Sequence, residues 1–570
     1  MINYREKIAD ILAPHIEGLE RDEILPMIEV PADSSKGDYA FPCFKLAKIM
    51  RKAPPMIAKG IAEAIEGEKM FQKVESVNAY VNMFMSKAEF ADNVVKEVIE
   101  KDEDFGRSDI GAGRTVIVEY SSPNIAKPFH IGHIRSTVIG NSIYKIYDFL
   151  GYDTIRINHL GDYGTQFGKM ICAYRKWGNK EDVIREPIKS LLSYYTKFHE
   201  EAEKDPSLED EARAIFVRLE NGEPEEVELW QWFRDESLRE FNRVYDMLGI
   251  TFDSYNGESF YSDKMPAVVQ ELKDKGLLVE DNGAQIVKLD QFDLPPALIT
   301  KSDGSTLYIT RDIAAAIYRK NTYDFYKNIY VVASQQNLHF QQWKKVIGLM
   351  GYDWADDCVH VPFGLVSMEE GTMSTRQGRV IFLEDVLNRA VEQTRKIIME
   401  KNVNTENVDE TAREVGIGAV IFNELSNYRI KDYVFSWDKV LNFEGETGPY
   451  VQYTHARACS ILRNAGEAVM ASAKEGFDAS RITSDSAHAL IKLIYEMPEV
   501  IAEAGEKYEP SIVTRHIVDI AQAFNKFYHD EHILVDDETE KTAKVALVMA
   551  ARNVIRNGLD LLGMKAPEKM

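Results

Sequence analysis

Two histidines bracket a glycine in the stretch SSPNIAKPFHIGHIRST (121–137), where an apolar run ends and a helical pattern begins. A strand, a tight turn and a helix in this order bring backbone N–H groups and the positive end of the helix dipole to one point, which favours anions such as phosphates. Gly132 lets a flat base or a ribose approach the backbone, and His130 and His133 can both donate hydrogen bonds to phosphate oxygens. The stretch therefore predicts a site for a phosphate-bearing substrate.

The histidine pattern alone has a second interpretation, in which His130 and His133 only cap the helix. The chain contains no GxxxxGK[ST] and no GxGxxG on a strand-to-helix turn, so neither a P-loop nor the usual dinucleotide site is indicated. The elements around the turn and the other motifs of the chain have to decide between the two interpretations.

The segments around the turn alternate between strands and helices. TVIVEY (115–120) is a buried-type strand, a helical pattern follows over about 134–150, and TIRINHLG is a second strand. NIYVVAS and CVHVPFGLV are later strands that are separated by a helix over about 340–349. This rhythm predicts an α/β domain of the Rossmann type with a doubly wound parallel sheet.

At 570 residues the chain is long enough for several hydrophobic cores, and we expect three domains. A small α+β domain over residues 1–110 ends in the linker-like stretch EDFGRSDIGAGR. The parallel-sheet domain covers residues 111–442 and contains an acidic, helical insertion at about 170–300. Residues 443–570 have helical period nearly throughout, which predicts an all-α bundle.

Composition limits the partners and the compartment. The net charge of −24 arises from 68 Lys and Arg against 92 Asp and Glu, so a nucleic acid would have to meet local basic patches. The four cysteines have no metal-binding spacing, and no stretch has the run of apolar residues that a membrane span needs. These features predict a cytoplasmic protein without a membrane segment, a protein-bound metal or an organic cofactor.

The histidine turn resembles the HIGH motif of class I aminoacyl-tRNA synthetases and is complete as His130-Ile131-Gly132-His133. Further stretches, like the turn itself, resemble arginyl-tRNA synthetases: NHLGDYGTQFG (158–168), KSDGSTLYITRDIAAA (301–316), GETGPYVQYTHAR (445–457) and DLLGMKAPEKM (560–570). Long matching stretches in the right order are far more specific than one HIGH motif. The resemblance implies an arginine–tRNA ligase, which joins arginine to the α-phosphate of ATP, releases pyrophosphate and passes the arginyl group to the 3′ end of tRNA(Arg).

The resemblance also implies which residues surround the reacting phosphate. His130, Gly132 and His133 would bind ATP, which arrives as its Mg²⁺ complex with the metal held mainly by the phosphates. The ammonium of Lys127, three residues before His130, would reach the pyrophosphate.

A second ATP-binding motif of the family, KMSKS, corresponds to Thr372-Met373-Ser374-Thr375-Arg376, in which both lysines are missing. Met373, Ser374 and Arg376 are the contacts that the resemblance implies there. Arg376 still offers a charge and a planar set of donors, and Lys127 would substitute for the absent lysine.

Recognition of arginine makes a separate demand, because a guanidinium carries a permanent charge and five donors that carboxylates must meet. By resemblance the carboxylates are Glu258, in NGESFY, and Asp312, in YITRD, with Tyr308 one helical turn before Asp312. Asn124 would hold the α-amino or carboxylate end of the arginine, and Gln336 would complete the pocket.

The C-terminal bundle resembles the anticodon-binding domain that a few class I synthetases share. Aromatic and polar side chains of one segment suit unpaired bases, namely Tyr450, Gln452, Tyr453, His455 and Arg457. A local basic face is expected from Arg515, Lys526, Arg552 and Arg556. In the first domain, Asn82 and Phe84 match the family's contact with the outer corner of the tRNA, where the D-loop lies.

The sequence leaves three other functions open. A cysteinyl-tRNA synthetase has a related tail, but its zinc needs a set of cysteines and histidines that this chain lacks. A catalytically weak tRNA-binding relative would explain the degenerate KMSKS run, and a nucleotidyltransferase would share the HIGH-type turn but not the long helical tail. Intact His130, His133, Glu258 and Asp312 favour the ligase. The family is mostly monomeric and usually needs tRNA to activate arginine, so we expect both properties here.

Overall fold

The first hundred residues form helices around a small antiparallel sheet in the computed structural model, which describes residues 3–302, 307–368, 381–401, 407–440, 442 and 445–570. The elements are α1 (Tyr4–Leu12), α2 (Arg21–Ile24), β1 (Tyr39–Pro42), α3 (Leu46–Met50), α4 (Pro54–Ile65), β2 (Phe71–Val77), β3 (Tyr80–Met85) and α5 (Lys87–Lys101). The strands pair in the order β1-β3-β2, and α4 covers one face of the sheet. This is the α+β arrangement that the sequence predicts.

The central part of the chain contains a parallel α/β unit and a long insertion. Its elements are β4 (Thr115–Glu119), α6 (Ile134–Phe149), β5 (Asp153–Ile157), α7 (Gln166–Trp177), α8 (Lys180–Arg185), α9 (Pro187–Lys204), α10 (Ser207–Glu220), α11 (Pro224–Leu248), α12 (Met265–Asp274), β6 (Val279–Asp281), β7 (Ala284–Val287), β8 (Ala297–Thr300), α13 (Tyr308–Tyr323), β9 (Lys327–Ala333), α14 (Asn337–Leu349), β10 (Cys358–Phe363), β11 (Val366–Met368), α15 (Leu383–Lys401), α16 (Val408–Ser426), β12 (Tyr433–Phe435) and α17 (Trp437–Val440).

Four parallel strands form the central sheet in the order β10-β9-β4-β5. The chain passes from β4 through α6 to β5 on one side of β4, and later returns to β9 on the other side. The order of strands therefore reverses at β4, and ligands of open α/β sheets bind at the carboxyl ends of the strands at such a point. The histidine turn begins where β4 ends, and the predicted doubly wound sheet is confirmed.

The insertion is helical from α7 to α11, as predicted, but it continues into a small sheet that the sequence analysis did not predict. β6, β7 and β8 pair antiparallel through strands of three and four residues. Asn282 and Gly283 join β6 to β7 with φ angles of 50° and 82°. Asn-Gly with two positive φ angles is a strong short-range signal of a hairpin, whereas strands this short show little alternation of apolar residues.

The C-terminal part is an all-α bundle, as predicted. It consists of α18 (Gly448–Ala465), α19 (Glu467–Glu475), α20 (Asp485–Lys507), α21 (Ser511–Asp530) and α22 (Glu538–Leu561). α22 contacts each of the other four helices and is buried along most of its length. α16 packs on α18 and on α6, and so joins the bundle to the central sheet.

The N-terminal part packs on this bundle rather than standing apart from it. The Tyr4 ring lies 5.2 Å from the ring of Phe90 and 5.4 Å from that of Tyr495 in α20, between ring centres. In the linker-like stretch, Phe105 is buried and its carbonyl accepts from Asn557 Nδ2 of α22 at 3.3 Å. The stretch between the first two parts is thus anchored to the third.

Candidate active site

The turn after β4 is held in an unfavourable backbone conformation. Ser121, Ser122 and Ala126 have φ angles of 70°, 47° and 57°, a region that residues other than glycine, asparagine and aspartate rarely adopt. The Ser121 N–H donates to Ser136 Oγ at 2.9 Å, and the Ser121 hydroxyl lies 2.8 Å from the Tyr245 hydroxyl. Strain of this kind costs about 1–3 kcal/mol for each residue and concentrates at functional sites.

His130 and His133 each use one ring nitrogen to hold the turn. The Gly132 N–H donates to His130 Nδ1 at 3.1 Å, and the His130 N–H donates to His133 Nδ1 at 3.1 Å. His133 Nδ1 also lies 3.2 Å from the His130 carbonyl, but the His130 N–H is the closer partner. A nitrogen that accepts carries no proton, so we assign the proton of each neutral ring to Nε2. Burial lowers the pKa of His130, and burial together with the neighbouring ring lowers the pKa of His133 to about 3. Both rings are therefore neutral donors at neutral pH.

The loop that follows β5 lies against the same turn at Gly161. Asn124 and Gly161 form a parallel bridge, in which the Ile125 N–H donates to the Gly161 carbonyl at 3.2 Å and the Gly161 N–H donates to the Pro123 carbonyl at 3.0 Å. A Cβ at position 161 would lie 2.2 Å from Asn124 Oδ1, so this close approach requires glycine. The side chain of Asn124 is exposed at this junction.

Lys127 lies in the turn between Asn124 and His130 and is partly buried. Burial lowers the pKa of its ammonium, and the negative charge of Glu258 opposes this effect. Lys127 therefore lies within electrostatic reach of one of the two carboxylates that the sequence analysis assigns to arginine.

Glu258 begins a short 3-10 helix beside the loop that follows β5. Its N–H donates to the Leu160 carbonyl at 2.9 Å, and its Oε2 lies 3.2 Å from Arg311 Nη1. Burial raises the pKa of Glu258 to about 7, the negative charges of Asp312 and Asp162 add to the rise, and Arg311 opposes it. A carboxyl group in this environment is close to half protonated at neutral pH.

Helix α13 begins at Tyr308, which is 63% exposed, and Asp312 follows one turn later. Asp312 Oδ2 lies 2.5 Å from Nε2 of His339 in α14. Gln336 is exposed in the short connection between β9 and α14. The structure thus brings Asp312 near Glu258, and Glu258 near the histidine turn.

A layer of buried charges, which the sequence analysis missed, supports these side chains. Asp162 has no exposed surface and accepts from the Ser259 N–H at 2.8 Å, from the Ser259 hydroxyl at 2.9 Å and from Arg234 Nε at 3.2 Å. Arg319 is fully buried and pairs with Glu119 at 2.6 Å. The signal for Asp162 was the acid of the stretch NHLGDYGTQFG, whereas Arg319 lies outside the stretches that resemble the family.

Within the described ranges, no group of three or more His, Cys, Asp or Glu side chains is arranged to hold a metal ion. None of the helices in the same ranges is both long enough and apolar enough to cross a membrane.

Three protein-family models match successive parts of the chain. The model named tRNA synthetases class I (R), catalytic domain, matches residues 94–437, between matches to the arginyl tRNA synthetase N terminal domain over residues 3–85 and the DALR anticodon binding domain over residues 451–570. Arginine–tRNA ligases of Halothermothrix orenii and Clostridioides difficile are each 59% identical over 570 residues, which is 100% of this chain and of each relative. The chain belongs to the arginyl-tRNA synthetase family. Its activity is that of an arginine–tRNA ligase, and the matches support neither a cysteinyl enzyme nor a catalytically weak relative.

Solved structures of the same family share the fold. The arginyl-tRNA synthetase of Thermus thermophilus has a TM-score of 0.79 at 23% identity, with 99% of this chain and 100% of that chain covered. The enzyme of Plasmodium falciparum has a TM-score of 0.77 at 24% identity, with both chains covered completely.

The residues assigned by resemblance to the second ATP-binding motif of the synthetase, Met373, Ser374 and Arg376, lie outside the described residues. Their assignment stays a prediction.

In the helical part of the synthetase, Tyr453 and Arg457 form a cluster with Tyr528, a residue that the sequence analysis missed; both tyrosines are exposed, and Arg457 is partly buried and donates to Asn525 Oδ1. The guanidinium carbon of Arg457 lies 4.8 Å from the centre of the Tyr453 ring and 5.5 Å from that of Tyr528. Tyr450 is partly buried, and its hydroxyl accepts from Asn525 Nδ2 at 2.9 Å. We call Tyr453, Arg457 and Tyr528 the aromatic cluster.

Gln452 and His455 lie inside the fold, so the expectation that they meet tRNA does not fit their positions. Asn82 lies on the same face of β3 as Tyr80 and Phe84, and its assignment stays a prediction. Gln452 has no exposed surface, and its Nε2 donates to the Glu414 carbonyl at 3.2 Å and to the Lys565 carbonyl at 2.8 Å. His455 and Asn82 are also buried. Gln452 and His455 join α18 to α16 and to the last residues of the chain, which leaves the exposed aromatic residues of α18 as candidates.

Two of the four expected basic residues are well placed for a polyanion. Arg515 and Lys526 are exposed on α21, whereas Arg552 is partly buried. Arg556 pairs with Asp102 at 2.7 Å, so a carboxylate already meets its charge.

The outer face of β3 carries Phe84, which is partly exposed. The Lys73 ammonium lies 5.0 Å from the centre of the Phe84 ring. Tyr80 lies on the same face of the strand, and its ring contacts that of the exposed Phe44 at 5.5 Å between centres. An aromatic face beside a lysine is suited to nucleic-acid bases.

Proposed function

We propose that the ligase binds its amino acid with the guanidinium between Glu258 and Asp312. The observation that carries this proposal is a pair of acids from two separate elements, one of which has a pKa raised to about 7 by burial and by the charge of the other. Two nearby carboxylates in a partly buried site repel each other, and a cation between them removes the repulsion. A guanidinium supplies this charge together with a planar set of donors. Tyr308 adds a ring and a hydroxyl.

The other end of the arginine faces the nucleotide. Asn124 holds the α-amino or carboxylate end beside the Gly161 junction, and Gln336 completes the pocket. A carboxylate oxygen of the substrate attacks the α-phosphorus of ATP, the bond from that phosphorus to the bridging oxygen breaks, and pyrophosphate leaves with the electron pair.

The protein contributes mainly position and charge to this step. His130 and His133 donate from Nε2 to phosphate oxygens, and Gly132 lets the nucleotide approach the backbone. The ammonium of Lys127 meets the departing pyrophosphate, and Met373, Ser374 and Arg376 complete the ATP site, as the family pattern implies. Mg²⁺ accompanies ATP and is held mainly by its phosphates.

The tRNA(Arg) contacts follow from the exposed aromatic residues. The aromatic cluster offers two rings and a guanidinium for unpaired anticodon bases, and the face with Phe84 and Lys73 suits the outer corner of the tRNA. Arg515 and Lys526 supply local positive charge in a chain whose net charge is −24. We infer that the enzyme works in the cytoplasm as a monomer and requires tRNA for arginine activation, as the family resemblance implies.

The test is exchange of pyrophosphate into ATP, measured with each of the twenty amino acids in the presence and absence of tRNA. Arginine alone should support exchange, and only with tRNA present. Asp312→Asn should raise the arginine KM about 30- to 100-fold, because a charged partner of a guanidinium is worth about 2–3 kcal/mol. The KM for ATP should stay within about twofold, because Asp312 faces the amino acid.

Asp324→Asn is the matched control. Asp324 ends the same helix, and its exposed pair with Lys320 contributes little. An equal rise of both KM values in Asp312→Asn would show that arginine lies elsewhere.

A further inference from the structure

Arg311 occupies an unusual position for a charged side chain. It directly precedes Asp312 in α13, and its side chain is 7% exposed. Its guanidinium carbon lies 4.7 Å from the centre of the Tyr163 ring and 5.4 Å from that of Tyr308. Among the described residues, Glu258 is the only carboxylate within ion-pair distance of this guanidinium.

Glu258 depends on its neighbours for its charge. Burial and the carboxylates of Asp312 and Asp162 favour the protonated form, and they raise the pKa of Glu258 to about 7. The cation that opposes this rise is Arg311, in direct contact with Glu258. A protonated carboxyl group has lost the charge that attracts a guanidinium and part of its capacity to accept hydrogen bonds.

We propose that Arg311 is a positioning residue for the amino-acid substrate: it favours the ionised form of Glu258 and holds one carboxylate oxygen while the second carboxylate oxygen receives the arginine. This inference rests on the proposed function, in which arginine lies between Glu258 and Asp312. The planar guanidinium is suited to the role because it lies against the rings of Tyr163 and Tyr308 and is always charged.

The same contacts link the two sides of the pocket. Tyr308, whose ring the substrate would meet, is packed on Arg311, and Arg311 is paired with Glu258. A lysine at position 311 would keep the charge but lose the flat surface and the fixed direction of the donors. Charge and stacking can therefore be separated by substitution.

The test compares Arg311→Gln and Arg311→Lys across pH, with the arginine KM, the ATP KM and kcat measured by tRNA-dependent exchange of pyrophosphate into ATP. Removal of an opposite charge in contact raises a carboxyl pKa by about 1–3 units. For a rise of two units, and with only the ionised form of Glu258 binding arginine, Arg311→Gln should increase the arginine KM about tenfold near pH 8; the difference should widen to about 100-fold below about pH 6 and close above about pH 10. Arg311→Lys should raise KM by a few-fold at all pH values and keep the wild-type pH profile.

The Glu258→Gln enzyme is the control, because substitution of Arg311 should no longer raise the arginine KM in it. Because Arg311 is proposed to act through Glu258, neither Arg311 variant should raise the arginine KM further in Glu258→Gln enzyme. An unchanged pH profile in Arg311→Gln, or a full additional loss in the Glu258→Gln background, would overturn the role of Arg311 while leaving the arginine pocket in place. If Arg311→Gln fails to fold, the same comparison with Arg311→Lys decides the question. An arginine KM that Glu258→Gln leaves unchanged would instead overturn the proposed function, and this inference with it.

Discussion

His133 allows a test in which one substitution removes the contact with the substrate and another removes the contact that holds the turn. Its Nδ1 accepts the His130 N–H at 3.1 Å, and its Nε2 carries the proton offered to phosphate. Asparagine places its amide oxygen close to the position of Nδ1, whereas glutamine places its amide nitrogen close to the position of Nε2. His133→Asn therefore keeps the backbone contact without the donor, and His133→Gln keeps the donor without the backbone contact.

The two variants should fail in different ways. Loss of a donor aimed at developing charge costs about 10²- to 10³-fold in rate, so His133→Asn should slow arginyl-adenylate formation by that factor and leave the free energy of unfolding within about 0.5 kcal/mol. His133→Gln leaves the His130 N–H without its acceptor and should lose about 1–3 kcal/mol of stability. Its rate should exceed that of His133→Asn by about tenfold, because the donor remains.

The dependence on pH distinguishes this role from acid catalysis. The pKa of His133 is lowered to about 3 from an ordinary value of 6.5, so the ring is neutral and both rate effects should be constant between about pH 6 and about pH 9. A neutral buried histidine contributes stability above its ordinary pKa, and this contribution is lost as the pH falls from 6.5 toward 3. His133→Asn lacks this titration and should lose less stability than the wild type on acidification.

The assay is single-turnover formation of arginyl-adenylate at saturating arginine, ATP and tRNA, together with thermal unfolding followed by circular dichroism. His529→Asn is the control, because its side chain is 88% exposed on α21 and should affect neither measurement. An Asn variant as fast as the wild type, or a Gln variant slower than the Asn variant, would refute the assignment of Nε2 as the donor.

Two further substitutions test the leaving-group contact and the buried charge behind the turn. Lys127→Ala should slow adenylate formation about 10- to 100-fold, because the Lys127 ammonium meets the pyrophosphate, and should change the arginine KM by less than about twofold. A large rise in the arginine KM at unchanged kcat would instead place Lys127 in the amino-acid pocket. Glu424 is fully buried beside Arg135, and burial raises its pKa to about 8 from an ordinary 4.5. Such a group costs stability above its ordinary pKa, so Glu424→Gln should raise the free energy of unfolding at pH 7 and change it little near pH 4. Urea unfolding at both pH values measures this difference, and a loss of stability at pH 7 would show that the ion pair is stabilising.

The elements of the central sheet could be predicted from periodicity. Buried parallel strands such as β4, β9 and β10 are short apolar runs between helical patterns, and α6 and α14 have the spacing of amphipathic or buried helices. Periodicity does not encode the order β10-β9-β4-β5, which is set by tertiary packing. The strand order places the turn after β4 at the point of the sheet where ligands bind. Because the order could not be predicted, the site had to be found from the HIGH motif.

Helix α18 contained a signal that the sequence analysis did not use. Tyr450, Tyr453 and Arg457 follow each other at helical spacing on the outer side, whereas Gln452 and His455 face α16 and the last residues of the chain. Neighbouring positions of a helix point about 100° apart, so the pattern of apolar residues could have separated Gln452 from Tyr453.

The charges that support the site could not be found in this way. An acidic residue in a chain with 92 of them is, taken alone, a surface charge. Glu258, Asp162 and Arg311 come from three distant parts of the sequence, and only the fold brings them together in a partly dry site, where each charge depends on its neighbours. In this pocket the guanidinium of Arg311 opposes the rise in the pKa of Glu258 that burial and the neighbouring acids cause. If Arg311 has the role proposed above, its removal leaves the acid that should meet the substrate protonated up to a higher pH.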